Sequence, residues 1–319
     1  MIHSEDRNWL AAGLSGAAAI RLQAGDVGCA LFPQSGTAPN EALLATVRLT
    51  LYRLVAGVET QLIDASAAEY LPASWEPLCT AGLLRDNGLI DFCLARHAER
   101  QIRLRLGEVA WGFERQLAAT LLHVADPILS EAAANVLRGE NLELQESPEA
   151  LTSQLPIDLA HALAWKVVAG LQFTDSPVSA TRGELVKSCQ KFLAGHNEGA
   201  TLQNAAAKLV FFLPETRLPD LLDPCRSGLA IFVASLSRTT GLPQDRLYRL
   251  LDHDHPAAAM LALRASGLSA DAAIHALQAL RHGRFGDDRY AVSYDELAGI
   301  AQADASAALS QFMSGGSDI

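Results

Sequence analysis

Apolar residues recur every three or four positions along most of this chain. In 41–63, Leu44, Val47, Leu51, Leu54, Val58 and Leu62 step along one helical face, and Arg48, Arg53 and Glu59 fall largely elsewhere. Segment 157–172 repeats the pattern through Ala160, Leu163, Val167 and Leu171. The same period marks 88–105, 108–123, 183–194, 201–213, 226–239, 244–251, 257–265, 270–281 and 294–312. Only Val27–Phe32 and Arg289–Val292 read as extended, and neither has an evident partner. The pattern predicts an all-α fold with little or no β structure.

Start and stop signals agree with the period. Asp126-Pro127, Ser147-Pro148 and Asp223-Pro224 each place a capping side chain before a proline suited to the first helical position. Thr181–Glu184 and Ser293–Glu296 have the capping-box form, and Val292 with Leu297 can add a hydrophobic staple. Gly139, Gly195, Gly241, Gly267 and Gly283 fall where helices should end. One short internal echo stands out. Thr240-Gly241-Leu242-Pro243-Gln244-Asp245 resembles Ser266-Gly267-Leu268-Ser269-Ala270-Asp271, and Leu251 and Leu277 follow at equal distances. Stacked helical hairpins have this logic: glycine ends a helix, leucine plugs the corner and the next helix opens.

The expected organisation has three parts. Residues 1–139 form an N-terminal helical region, with the weakest pattern over 1–38. Residues 140–155 read as an acidic linker carrying Glu140, Glu143, Glu146 and Glu149, interrupted by Pro148. Residues 156–319 form a C-terminal helical-hairpin region, ending in a tail from Ser314.

Composition narrows the functional classes. The chain has 319 residues, of which 50% are hydrophobic and only 6% aromatic, which favours close helix-on-helix packing. A net charge of −11 makes nucleic acid and anionic membranes poor partners. Cys29, Cys79, Cys93, Cys189 and Cys225 are widely spaced and odd in number, so they read as small apolar residues in a reducing compartment. The start, with His3, Glu5, Asp6 and Arg7, lacks the basic region of a signal peptide. Uncharged runs such as Asn8–Ile20 fall short of the roughly 20 apolar residues of a membrane span. A cytoplasmic location is expected.

Several stretches in the second half point to a family. They are Leu155-Pro156-Ile157-Asp158, Leu163–Ala169, Phe232–Leu242, Leu247–Asp252 and Leu261–Leu268. Together they resemble a family of uncharacterised helical proteins common in alphaproteobacteria, over roughly residues 85–282. The resemblance implies a HEAT-like stack or an irregular α-array, and it implies no catalytic residues.

Two clusters carry chemistry worth placing. Asp252-His253-Asp254-His255 alternates carboxylates and imidazoles, as divalent-metal ligands do. It reads equally as a helix corner, because Pro256 follows and Asp254 or His255 can cap. His253-Asp254 also matches the central pair of helical metal-dependent phosphohydrolases, but the nearest upstream histidine is His196. Arg96, Arg100 and Arg103 recur on one helical face with Arg105 close by. Such a stripe binds an acidic peptide or phosphate, or pairs within the molecule. Glu99 and Glu108 dilute it.

Weaker signals complete the set. In His97-Ala98-Glu99-Arg100 the carboxylate at i+2 does not share the histidine's face. Ser188–Lys191 matches S-x-x-K without its companion elements. Cys189, between Lys187 and Lys191, is either an activated thiol or a core residue. Trp9, Trp75, Trp111 and Trp165 read as packing anchors, and Trp165 with His161 can line a groove. No phosphate-binding loop, dinucleotide fingerprint, H-E-x-x-H, G-x-S-x-G or EF-hand loop occurs.

The reading is a non-catalytic interaction or regulatory adaptor, with bacterial signalling as its setting and no cofactor. A protein partner is expected through Arg96, Arg100 and Arg103, without nucleic acid or membrane, and homo-oligomers are open. The alternatives are a metal-dependent hydrolase centred on Asp252, His253, Asp254 and His255, and a small-ligand sensor.

Overall fold

The computed structural model describes residues 41–64, 71–109, 116–144, 147–173, 181–253, 255–282 and 299–314. Among these residues every regular element is helical, and there is no strand. The α-helices are α1 (Glu41–Ile63), α2 (Trp75–Thr80), α3 (Asn87–Val109), α4 (Gln116–Leu121), α5 (Pro127–Leu144), α6 (Pro148–Thr152), α7 (Ile157–Gln172) and α8 (Arg182–Gly195). They continue as α9 (Leu202–Phe212), α10 (Leu218–Leu221), α11 (Pro224–Ser227), α12 (Leu229–Thr240), α13 (Gln244–Asp252), α14 (Pro256–Ala265), α15 (Ala270–Leu280) and α16 (Gln302–Ser314). No described helix is long and apolar enough to cross a membrane.

The expected caps form where the sequence places them. Asp126 accepts from Ile128 N at 2.9 Å, Ser147 from Ala150 N at 3.1 Å and Asp223 from Cys225 N at 3.0 Å. Thr181 and Glu184 complete a reciprocal capping box. The box at Ser293–Glu296, the extended segments Val27–Phe32 and Arg289–Val292, and Gly283 lie outside the described residues.

Several boundaries differ from the expectation: α3 runs unbroken through 106–109, and the last helix starts at Gln302 and not at 294. The helix expected over 226–239 is two, α11 and α12, separated by Gly228 at φ 81°. Helix α5 does not stop at Gly139 but runs on to Leu144. Glycine sits there because a Cβ would come 3.0 Å from Leu202 Cα, so the position serves a close approach and not a helix end. The 140–155 segment is therefore no plain linker. It continues α5, forms α6 and buries Ala150, Thr152 and Leu155.

The chain gathers into two compact units, each discontinuous in sequence. Over the described residues, unit 1 draws on 95–137 and 205–314, and unit 2 on 41–94 and 138–204. Each has its own apolar core.

Unit 1 is built round α14. Pro256 to Leu263 are all buried, which requires neighbours on every side of that helix. Helices α12, α13, α15 and α16 supply them. The echoed corners are alike in space. Gly241 (φ 74°) and Gly267 (φ 92°) take the positive φ that glycine allows, and Leu242 and Leu268 are buried behind them. The corner carbonyls are held by different partners: Ser237 Oγ donates to Leu242 O at 2.7 Å, and the Arg264 guanidinium donates to Leu268 O.

Unit 2 is built round the second half of α1, against which α6, α7 and α8 pack. Its buried run is Leu54 to Thr60, and it includes Glu59. Glu59 thus does not lie away from the core face as the periodicity implies. Its Oε1 accepts from Ala73 N at 2.8 Å, and its Oε2 accepts from Ser74 N at 3.0 Å and from the Ser74 hydroxyl. The desolvation of a buried carboxylate is offset by these donors, which fix the segment leading into α2.

Candidate functional site

Both sequence clusters lie in unit 1, and packing brings them to one helix pair. The 95–109 stretch of α3 runs alongside α13. Ala98, Ile102 and Leu106 share a core with Leu247, Tyr248 and Leu251. Two ion pairs flank this seam. Arg96 Nη2 donates to Asp245 Oδ1 at 2.8 Å, and Arg105 Nη2 donates to Asp252 Oδ1 at 2.6 Å. The rungs advance in the same direction on both helices, so these helices are parallel. Arg96 to Arg105 and Asp245 to Asp252 span roughly 13 and 10 Å at about 1.5 Å per residue.

The arginine stripe is therefore not one exposed surface. Arg96 is buried, donates to Glu99 as well as to Asp245, and lies 5.3 Å from the Tyr248 ring centroid. Arg103 is half-buried and donates to Glu99 Oε1 at 3.1 Å. Arg100 alone of the three is exposed. The period placed these residues on one helix correctly. It carried no information about α13, which follows some 149 residues later and supplies the acids. His97 is half-buried, and the adjacent Glu99 is held by Arg96 and Arg103.

The Asp252–His255 cluster is the corner between α13 and α14; Asp254 lies outside the described residues. Asp252 sits at the C-terminus of α13, where the helix dipole disfavours a carboxylate and the Arg105 guanidinium compensates. His253 Nδ1 accepts from His255 N at 3.1 Å, and His255 Nδ1 accepts from Ala257 N at 3.2 Å as the N-cap of α14. A neutral imidazole has one nitrogen lone pair to give, so both rings carry their proton on Nε2. In this arrangement neither Nδ1 is open to another partner. Among the described residues, no group of three or more His, Cys, Asp or Glu is arranged to hold a metal ion. Over its described residues the cluster caps the start of α14.

Arg281, just past α15, donates to His253 O at 2.7 Å. Burial, then the neighbouring His253 and Arg281, hold the His255 imidazole below its ordinary value. Arg249 is buried on α13.

The remaining expected residues have structural placements. Cys189 is buried, and burial pushes its thiol up, opposite to activation by the flanking lysines. Trp75 packs edge-on to Tyr52 at 5.3 Å. Trp165 packs on the unit 2 core and donates to His161 Nε2 at 3.1 Å. Trp9, Trp111 and Cys29 lie outside the described residues.

One surface feature escaped the sequence reading. Phe211 and Phe212 close α9 with 71% and 38% of their surface exposed, their rings edge-on at 5.5 Å. Lys208, exposed one turn earlier, shares their face. Adjacent phenylalanines at the end of an apolar helix look like core residues, so periodicity gave no signal. Arg238 holds this helix end by donating to Val210 O at 2.5 Å and Leu213 O at 3.3 Å. No family model, curated protein or solved structure matches the chain.

Proposed function

We propose that this chain is a non-catalytic helical adaptor that binds another protein, in a regulatory role. The observation that carries the reading is the solvent-facing Phe211–Phe212 pair, because a contiguous exposed aromatic patch is typical of contact surfaces. Lys208 beside it favours a partner helix that presents apolar anchors with an acidic flank. The resemblance to a HEAT-like family fits the same reading. Arg96 and Arg103 are engaged within unit 1, so the contact belongs to the α9 face and Arg100 is at most peripheral.

The test is crosslinking and co-purification from native cytoplasm with wild type, Phe211→Ser/Phe212→Ser and Lys187→Glu as a surface control. A partner helix crosslinked beside Lys208, kept by the control and lost from the double variant, is the expected result. The same partners on all three forms would remove the α9 surface, and no partner on any form would sink the adaptor reading.

A further inference from the structure

The end of α9 carries more than its two phenylalanines. Lys208 stands three residues before Phe211, and Glu215 stands three residues after Phe212. Both are exposed. Lys208 lies one turn up the helix on the face of the aromatic pair. Glu215 follows the last turn, where its carboxylate comes to 4.0 Å from Arg238, the arginine that closes the end of α9. The Glu215 side chain is still 88% exposed, so this pairing leaves most of the carboxylate in water. Arg217 and Asp220, the next charges along the chain, pair with each other at 3.4 Å and add no net charge to the patch. The order along the surface is therefore cation, aromatic pair, anion.

A patch with this order is complementary to itself. Turned about a two-fold axis through the phenylalanines, it reads anion, aromatic pair, cation, so each charge meets its opposite. The equal spacing of Lys208 and Glu215 on either side of the pair keeps both contacts in register. A partner for this face was argued above to need apolar anchors with an acidic flank. The chain carries that chemistry itself, in Phe211, Phe212 and Glu215.

We infer that the α9 end closes a two-fold homodimer, in which Phe211 and Phe212 of two copies cover one another and Lys208 of each copy pairs with Glu215 of the other. The inference rests on the reading of this end as a contact surface and names a second copy as its occupant. Burial of the rings supplies the attraction, and the two charge pairs at the rim set the register. The contact is small, so the dimer forms and dissociates with concentration. A copy and a partner protein use the same face, and binding of either excludes the other.

The experiment is sedimentation of the purified full chain over roughly 5–500 µM, a range suited to weak contacts of this size. Wild type should pass from monomer to dimer. Lys208→Glu or Glu215→Lys alone sets like charges opposite each other twice, and should weaken the dimer by at least about tenfold. Mixed one to one, the two variants should regain the dimer, because each offers the charges that the other needs. Phe211→Ser should remain monomeric throughout. All three positions are exposed, so the fold does not depend on them. Wild type that stays monomeric overturns the proposal, as does any of the three variants dimerising like wild type, or a mixture no stronger than its components. The dimer is decided on purified chain and the protein partner by co-purification, so failure of one reading is distinct from failure of the other.

Discussion

Each unit has a central helical stretch buried on every side, and the two centres are made of different chemistry. In unit 1 it is Pro256 to Leu263, which holds only Pro, Ala, Met and Leu. In unit 2 it is Leu54 to Thr60, which holds Gly57 and the carboxylate of Glu59. A helix that is apolar all round needs only neighbours of suitable shape, and α12, α13, α15 and α16 provide them. A central helix that carries a carboxylate must also receive donors in fixed positions. Ala73 and Ser74 provide those, so the chain around 73–74 is tied to one place. The first solution tolerates rearrangement, and the second specifies a geometry.

Substitutions at the two centres should separate these solutions, beginning with the largest effect. Glu59→Met keeps approximate volume and strands the Ala73 and Ser74 donors, at a cost of about 3–5 kcal/mol. Hydrogen exchange should report it as lost protection in 41–63 with 256–265 unchanged; equal loss in both stretches would break the comparison.

Gly57→Ala is expected to cost about 3 kcal/mol, because the added Cβ would run into Thr152 Oγ1 and the Pro148 carbonyl on α6. Denaturant melts followed by Trp75 and Trp165, both in unit 2, should show the lower midpoint.

In unit 1, Met260→Leu conserves volume in an all-apolar setting and should cost about 1 kcal/mol or less. A larger loss, read by exchange in 256–265, would show that this centre is as geometrically exacting as that of unit 2.

The smallest effect expected is on acid sensitivity at the edge of unit 2. Burial pushes the Asp86 carboxyl up, but the Lys166 ammonium at 2.9 Å and the Leu89 and Gly88 amides together carry it below its ordinary value. A lowered carboxylate stabilises the fold above its unfolded value of about 3.9, and that contribution is lost as pH falls through the folded value. Asp86→Asn should therefore flatten the fall in unit 2 stability below pH 4, measured by the same melts across pH; an unchanged slope would assign the acid loss to other groups.

Much of the fold was legible in particular residues. The prolines with their capping partners at 126–127, 147–148 and 223–224 gave true helix starts, and Gly241 with Leu242 gave a true corner. Gly139 misled, because glycine marks either a chain reversal or a close approach and the sequence does not say which. Glu59 misled because a charged residue is placed outside by default, and its donors lie in a segment with no helical period.

The candidate clusters divide in the same way. That Arg96 and Arg103 share a helix, and that Asp252–His255 forms a corner, followed from spacing and from Pro256. That Arg96 and Arg105 are taken by Asp245 and Asp252, and that the two histidines cap in series, required the packing of α3 on α13 and the closed corner.

By itself the sequence determined helix type, most helix ends and the all-apolar stretch Pro256–Leu263 of α14, because these rest on interactions between residues three or four apart. Only the tertiary structure decided which helices became neighbours and which charges were buried and paired. Many helices of this chain present similar Ala- and Leu-rich faces. The choice among them is made by long-range fit and by the need to satisfy every buried polar group, neither of which is written in any local stretch.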